Sequence, residues 1–250
     1  MGLGAVGPSL VLLGGIVAAV GLCRSWTVRR LRGRLRGLAL ELLGTFQVCA
    51  CTNELCLLAA AEPRAALSLT YGFSVLHGAT LSGCSCNPCG CLQLLWAGAA
   101  PPGLAALSIA AQFAAAALAR LFMRFVWSLG MMEPHLGALP QGCGNPMQTT
   151  EAQAFCIELL FSVVFQLTVL RAERVNPKYK VHLIALLITM LVYAGGNLTG
   201  AVFNPALAFS LHPNCFYDKF LSYSLVYWIA PSLGTILVAF LCDEILPRIS

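Results

Sequence analysis

Long apolar stretches separated by short polar segments dominate the pattern of this chain. Seven can be recognised, at 2–23, 38–60, 66–81, 104–127, 152–170, 181–195 and 219–241. A helix needs ~20 residues to cross the hydrocarbon core of a bilayer, and 66–81 and 181–195 fall short of that length. Lipid cannot satisfy open backbone polar groups, so the pattern predicts membrane helices rather than strands.

Composition supports the same conclusion. Hydrophobic residues make up 58% of the 250-residue chain and charged residues only 10%, with a mean hydropathy of +0.80. A soluble domain carries roughly 25% charged residues. We therefore expect an integral, multi-pass membrane protein in contact with lipid.

The net charge of +5 comes from two basic clusters. The first consists of Arg24, Arg29, Arg30, Arg32, Arg34 and Arg36, and the second of Arg171, Arg174, Lys178 and Lys180. By the positive-inside rule both clusters face the cytoplasm, and the connection 128–150, which has no Lys or Arg, faces the opposite side. Arg120 and Arg124 run against this rule. We interpret the clusters as topology determinants and expect no nucleic-acid partner.

The first apolar stretch has its basic residues after the apolar run, which is the reverse of a secretory signal. We expect 2–23 to form an extra membrane helix whose N-terminus lies on the non-cytoplasmic side. Residues 1–36 then form an N-terminal hydrophobic segment with an arginine-rich cytoplasmic stretch.

The rest of the chain contains one unit twice. Asn87-Pro88-Cys89 and Asn204-Pro205-Ala206 are separated by 204 − 87 = 117 residues, and Glu41 and Glu158 by the same 158 − 41 = 117. Each unit has three apolar stretches, and because three is odd the second copy enters the membrane inverted. The predicted parts are a first repeat at 37–127, a non-cytoplasmic loop at 128–150 and a second repeat at 151–245.

Segments 87–96 and 204–211 are too short to span a membrane. Asn is a strong N-cap residue and Pro is favoured at the first helical position, so each Asn-Pro begins a half-helix. Two half-helices entering from opposite faces would point their positive N-terminal ends at each other near the midplane. This arrangement repels cations and lets the amides of Asn87 and Asn204 donate to a neutral solute.

These residues resemble the aquaporin (major intrinsic protein) family, whose signature is a duplicated Asn-Pro-Ala box. The resemblance covers about 37–245, and the run Thr199–Ala206 is specific by itself. It implies an all-α inverted repeat with six membrane helices and two re-entrant half-helices, here with an extra N-terminal hydrophobic helix. It also implies a homotetramer with a pore in each protomer. Glu41 and Glu158 match the carboxylates that brace the re-entrant loops in this family.

The departures from the family pattern concern the pore. The first box ends in Cys89, and Leu207 stands where orthodox members have an Arg. Val192 occupies the position of a common filter His, and Tyr71 is a candidate fourth wall of the filter. We expect a more apolar filter that tolerates solutes larger than water.

The altered box resembles the unorthodox superaquaporin subfamily. That resemblance implies an endoplasmic reticulum membrane, with the plasma membrane as a second location. It also implies water, glycerol and hydrogen peroxide as permeants.

Twelve cysteines raise other options. The run Cys84–Cys91 could recruit a soft metal, but small buried thiols packed around a half-helix are the preferred interpretation, and we expect neither metal nor cofactor. Cys89 is a candidate for sensitivity to thiol reagents if it faces the pore. Cys143 and Cys215, both on the outer side by the predicted topology, could pair.

Three classes of function follow. The first is a passive channel for water and small neutral solutes. The second is a membrane enzyme using the cysteine run, which we do not expect because the sequence contains no nucleophile motif and no cofactor loop. The third is a poorly conducting or non-conducting scaffold with the same fold.

Overall fold

The structure, a computed structural model, describes residues 6–138, 143 and 147–245, and in these residues all regular structure is helical. The longer helices are α1 (Val6–Arg30), α2 (Gly33–Ala61), α3 (Pro63–Thr80), α4 (Pro88–Trp96), α5 (Pro102–Ser128), α7 (Glu151–Ala172), α8 (Pro177–Thr199) and α12 (Ala230–Phe240). The shorter ones are α6 (Glu133–Gly137), α9 (Pro205–Leu211), α10 (Pro213–Asp218) and α11 (Phe220–Ser224).

Six helical segments of the described chain are long and apolar enough to cross a membrane. They are α1, α2, α5, α7, α8 and the continuous segment Phe220–Asp243. Helix α3, with 18 residues, is not among them but packs against α8. The predicted fold class is confirmed.

The apolar stretch 181–195, which is shorter than a full span in the sequence, belongs to a longer helix. Helix α8 begins at Pro177, inside the second basic cluster, because the side chain of Asn176 accepts a hydrogen bond from the backbone N–H of Lys178. It continues through two glycines to Thr199. Gly200 caps its C-terminus in the left-handed conformation, with a φ of +87°. Basic residues at one end and glycines at the other lower the local hydropathy without interrupting the helix.

The packing follows the repeat. Helix α2 packs against α5, and the corresponding α7 packs against α12. The two half-helices cross over: α4 of the first repeat contacts α12 of the second, and α9 of the second contacts α2 and α5 of the first. Helices α4 and α9 also touch each other. The tips of the two re-entrant segments therefore meet inside a wall built by both repeats.

Helix α1 packs on the outside of this unit, against α2. Its buried positions recur every three or four residues: Ser9, Leu13, Ile16, Val20, Arg24 and Thr27. Apolar residues of the other face, such as Val11 and Leu22, are 77% and 74% exposed, as expected for a face turned to lipid. The helix runs to Arg30, so the predicted boundary at residue 23 was too early.

The last crossing is interrupted by Pro231. A proline inside a helix removes one N–H donor and its ring clashes with the preceding turn. Here the turn Leu225–Ile229 widens to a π-helix before it, and the Pro231 carbonyl accepts hydrogen bonds from the hydroxyls of Ser162 and Thr235. The proline thus links α12 to α7.

The face opposite the basic clusters is held by two features. Cys143 and Cys215, which the sequence left as a possible pair, form a disulfide, which ties the connection before α7 to α10. Arg120, an exception to the charge rule, is buried rather than exposed to lipid. Its guanidinium donates to the Asn53 amide oxygen at 2.8 Å and lies 5.2 Å from the ring centroid of Trp127.

Candidate functional site

Each Asn-Pro box begins a half-helix by the same local chemistry. The Asn87 side-chain oxygen accepts a hydrogen bond from the Cys89 N–H at 3.0 Å. The Asn204 oxygen accepts from Ala206 and Leu207 at 3.1 and 3.2 Å. Pro88 and Pro205 occupy the first helical positions, where a missing N–H costs nothing.

The same two amides join the boxes across the centre of the protein. The Asn87 Nδ2 donates to the Phe203 carbonyl at 3.2 Å, and the Asn204 Nδ2 donates to the Cys86 carbonyl at 2.9 Å. An amide nitrogen has two N–H groups, so each Asn keeps a second donor beyond this bond. The side-chain oxygens are occupied by the helix caps. Each Asn is therefore oriented as a donor at the point where the half-helix N-termini meet.

The residues that precede the two asparagines adopt an unusual backbone conformation. Cys86 has φ of +54° and Phe203 has φ of +34°, and they lie 203 − 86 = 117 residues apart. A left-handed conformation costs roughly 1–2 kcal/mol for a residue with a Cβ. It turns each N–H towards a glutamate and each carbonyl towards the opposite Asn, so hydrogen bonds offset the cost.

Glu41, on α2, receives the first re-entrant loop. Its carboxylate accepts the backbone N–H of Ser85 at 3.0 Å and that of Cys86 at 2.7 Å. The Gln112 side chain on α5 donates to it at 2.6 Å. Hydrogen bonds to a charged acceptor contribute about 1.5–3 kcal/mol each. The carboxylate thus fixes the loop against two membrane helices.

Glu158 repeats the arrangement in the second half. Its carboxylate accepts the backbone N–H groups of Val202 at 3.1 Å and Phe203 at 2.6 Å, and the Thr199 hydroxyl at 2.6 Å. Val202 corresponds to Ser85 and Phe203 to Cys86 after the shift of 117 residues. In place of Gln112, a hydroxyl supplies the third donor. The two loops therefore have the same backbone anchors but different side-chain partners.

The Cys89 thiol, which the sequence left as a candidate for facing the pore, is enclosed by protein. Cys89 is fully buried, and the hydroxyl groups of Ser162, Ser232 and Thr235 on α7 and α12 surround its sulfur. The third residue of a box lies in the first turn of the half-helix, on the side that packs against these helices. Here cysteine fills a packing position, with hydroxyls as partners for a weakly polar S–H.

The three proposed filter residues lie on different elements. Leu207 follows the second box, is half-buried, and packs against buried residues of both repeats. Val192 lies on α8, packed against the cluster that contains Phe203. Tyr71 on α3 bonds through its hydroxyl to His182 Nδ1 at 2.8 Å. Because His182 and Val192 are ten residues apart on α8, about 15 Å, the Tyr71 hydroxyl is directed to another level of the α3–α8 wall.

Beyond α9, a histidine lies close to a buried cation. Burial, together with the Arg120 guanidinium, lowers the pKa of His212 from its ordinary 6.5 to about 4. Asn53, which accepts from Arg120, also donates to Ser210 of α9 at 2.9 Å. The Arg120 charge is therefore linked through Asn53 to the outer end of the second half-helix. The His212 imidazole beside it stays neutral. The sequence offered no signal for this arrangement beyond the misplaced arginine.

Arg24 was also misjudged from the sequence. The sequence places it in the first basic cluster, expected to face the cytoplasm, yet it is buried and reaches from α1 to the first re-entrant loop. Its Nη2 donates to the Ser82 carbonyl at 2.6 Å, and its Nη1 donates to the Leu40 carbonyl at 3.2 Å and lies 3.4 Å from the Cys84 Sγ. The apolar pattern of α1, with buried positions three or four apart, places residue 24 on the packed face.

In the described part of the chain, no group of three or more His, Cys, Asp or Glu side chains is arranged to hold a metal ion. The cysteines of the run 84–91 pack against different helices. Cys89 packs on α7 and α12, whereas Cys84 and Cys86 lie next to α2. The sulfurs of the run therefore point to different neighbours.

Comparison with known proteins gives consistent results. The major intrinsic protein family profile matches residues 63–242. Aquaporin-11 of Equus caballus is 43% identical over 246 residues, covering 96% of this chain and 90% of that protein. Aquaporin-11 of Homo sapiens is 42% identical over 243 residues, with the same coverage. Aquaporin-12 of Mus musculus is 31% identical over 217 residues, covering 83% of this chain and 74% of that protein.

A solved structure supports the fold. The aquaglyceroporin from Plasmodium falciparum superposes with a TM-score of 0.71 at 17% identity, covering 87% of this chain and 99% of that one. At this identity the likeness concerns the fold alone. The duplicated boxes, their cross-bonded asparagines and the matched relatives together lead to one conclusion: the chain belongs to the major intrinsic protein, or aquaporin, family.

Proposed function

We propose that this protein is a passive channel for water and small neutral solutes, with the pore between its two repeats. The observation that carries the proposal is the reciprocal bonding of Asn87 and Asn204, which leaves each amide with a second N–H donor. A solute oxygen can accept from these donors. A cation there would face two helix N-termini, each with roughly half a positive charge, and would be repelled.

The proposed filter consists of Val192 and Leu207. Tyr71, the further wall expected from the sequence, is left out because its hydroxyl bonds His182, about 15 Å along α8 from Val192. An Arg at position 207 would present a charge and fixed donors to the solute, whereas a leucine presents only methyl groups. An apolar wall makes favourable contacts with the carbon-bound hydrogens of a solute such as glycerol. The missing guanidinium also leaves more space in the filter. We therefore propose glycerol and hydrogen peroxide as permeants beside water.

Stopped-flow light scattering on proteoliposomes tests the proposal. Vesicles with the purified full-length protein should shrink faster than empty vesicles in a sucrose gradient and re-swell faster in a glycerol gradient. Peroxide entry is followed with a dye enclosed in the vesicle. Vesicles with an Asn87→Asp, Asn204→Asp double variant serve as the non-conducting control.

The second candidate is a poorly conducting or non-conducting scaffold with the aquaporin fold. It is favoured by the departure at Leu207, since loss of the filter Arg fits altered or lost transport equally. Equal rates for empty vesicles and vesicles with correctly folded protein, for all three solutes, would establish this alternative and reject the channel.

We further propose a homotetramer in the endoplasmic reticulum membrane, with the plasma membrane as a second location. Small residues on the exposed face of α5, Ala110 and Ala114, allow a second protomer to approach closely. Ala115 and Ala116 are fully buried inside the protomer and do not contribute. The mass of the detergent-solubilised complex tests the assembly, and imaging of the tagged full chain tests the location.

A further inference from the structure

Two thiols lie side by side in the loop that leads to the first box. The Sγ atoms of Cys84 and Cys86 are 3.4 Å apart; Cys84 is half-buried and Cys86 is buried. A disulfide requires a separation of about 2.05 Å, so a small shift of one side chain suffices. We propose that Cys84 and Cys86 form a peroxide-reactive dithiol, and that its oxidation to a disulfide changes the first pore loop and lowers permeability.

The Arg24 guanidinium makes Cys84 the reactive member of the pair. Its Nη1 lies 3.4 Å from the Cys84 sulfur, and no carboxylate of the described residues forms an ion pair with it. A neighbouring cation favours the thiolate, which is the nucleophilic form. Cys86 is buried and its S–H donates to the Cys84 sulfur, so it is placed to resolve the oxidised Cys84.

Helix α2 leaves space for both sulfurs, which is an independent observation. A Cβ at Gly44 would lie 2.5 Å from the Cys84 Sγ and 2.8 Å from the Cys86 Sγ. Any side chain at this position would push the two thiols away. The glycine therefore allows both sulfurs to lie against the same turn of α2, where they are in contact.

The chemistry balances with a hydroperoxide as the oxidant. The Cys84 thiolate attacks one peroxide oxygen, the O–O bond breaks, and the departing oxygen takes a proton to leave as water or an alcohol. Cys84 is then a sulfenic acid. The Cys86 sulfur attacks the Cys84 sulfur, the S–O bond breaks, and the released hydroxide takes the Cys86 proton to form water. Two thiols have given two electrons to one peroxide.

The location fits a reversible reaction. The loop runs from the end of α3, where the Ser82 carbonyl accepts from Arg24 at 2.6 Å, to the centre of the protein, where the Cys86 carbonyl accepts from Asn204 at 2.9 Å. The Cys143–Cys215 disulfide instead joins the connection before α7 to α10. By the predicted topology the loop enters from the cytoplasmic side, so the half-buried Cys84 is accessible to cytosolic reductants, which return such disulfides to thiols. The two cysteine pairs of this chain thus face compartments of opposite redox character.

The effect on the pore follows from the position of Cys86. Its N–H donates to Glu41 at 2.7 Å and its carbonyl accepts from Asn204 at 2.9 Å. A disulfide to Cys84 pulls this residue along the loop and weakens both bonds. The permeability part of this inference rests on the proposed channel function, whereas the oxidation itself does not.

Peptide mapping tests the oxidation. Purified full-length protein is treated with hydrogen peroxide and the remaining thiols are alkylated. The mass of the peptide that contains both cysteines is then measured by mass spectrometry. We expect the loss of two hydrogens and no alkylation at either site, at a peroxide dose that leaves the half-buried Cys242 alkylated. In Cys86→Ser, a sulfenic acid at Cys84 should be trapped by dimedone, and Arg24→Gln should slow its formation. Alkylation of both cysteines after Cys242 has been oxidised would overturn the proposal.

Permeability is measured on the same proteoliposomes before and after peroxide. Water permeability should fall severalfold, recover with dithiothreitol, and be insensitive in Cys84→Ser. The matched control, Cys242→Ser, should respond like the parent chain. Unchanged permeability despite a complete Cys84–Cys86 disulfide would overturn the switch. A protein that conducts no water before oxidation would instead refute the channel function and leave the mapping result standing.

Discussion

The carbonyl oxygen of Cys86 accepts a hydrogen bond from the side chain of Asn204 at 2.9 Å, although the two residues lie 118 positions apart. The reciprocal bond joins Asn87 to Phe203. Each pore asparagine is therefore held by the backbone of the opposite repeat. A change in either loop is transmitted to the donor group of the other half.

Asn204→Asp tests this relationship. A carboxylate cannot donate to the Cys86 carbonyl and places two acceptors in contact, so we expect a loss of about 1–3 kcal/mol in stability and loss of water permeability. Thermal unfolding in detergent and stopped-flow scattering measure the two effects. Asn197→Asp, the same change at an exposed residue of α8, should leave both nearly unchanged. Equal effects of the two substitutions would contradict the cross-bonded arrangement.

Glu158→Gln tests the anchoring of the second loop. A neutral amide replaces a charged acceptor of two backbone N–H groups and one hydroxyl, so we expect a destabilisation of roughly 2–4 kcal/mol. Glu173→Gln is the matched control, because Glu173 makes an exposed ion pair with Lys180, worth at most about 1 kcal/mol. If the melting temperatures of the two variants coincide, Glu158 does not hold the loop.

Leu207→Arg restores the charge that orthodox members have after the second box. The guanidinium would narrow the proposed filter and add donors, so glycerol permeability should fall relative to water permeability. Leu221→Arg adds the same charge at an 81% exposed position of α11 and should not change the ratio. An unchanged glycerol-to-water ratio in Leu207→Arg would reject the filter assignment.

Arg24→Lys tests whether α1 is part of the pore support. An ammonium group carries the same charge but cannot reach the Ser82 and Leu40 carbonyls with a planar fork, so we expect a loss of about 1–3 kcal/mol. Arg30→Lys, at the exposed end of α1, is the control for charge and topology. A stability equal to that of the control would mean that α1 packs beside the repeats without supporting them.

His212 gives a dependence on pH with a definite sign. Its folded-state pKa of about 4 lies below the ordinary 6.5, so the unfolded chain takes up the proton first. The free energy of unfolding should therefore fall as the pH is lowered from 6.5 towards 4, by at most about 3 kcal/mol. His212→Gln should remove this part of the acid sensitivity, whereas His182→Gln, at an exposed histidine, should keep it. Identical pH profiles for His212→Gln and the parent chain would contradict the assignment.

Some residues of the site were predictable from the sequence and others were not. Helix caps and the inverted repeat depend on neighbours along the chain, so Asn87, Asn204 and the order of the elements were accessible. Position 89 was not, because the direction of a thiol in the first turn of a half-helix depends on which helices pack there. The contacts of Arg24 were not predictable for a related reason. An arginine after an apolar run is typical of a topology signal, and its acceptors lie on a loop that is distant in the sequence.

From the sequence alone, the chain is predicted to cross a membrane as two inverted copies, each with a capped half-helix and a carboxylate 46 residues before its box. These properties follow from hydropathy, parity and local capping, which need no long-range contact. The contacts of the equivalent residues became visible in the folded structure. It joined each asparagine to the opposite loop, turned Cys89 into the packing, and placed Arg24, Cys84 and Cys86 together. Such contacts arise between residues far apart in the chain, and their geometry is fixed by the packing of whole helices.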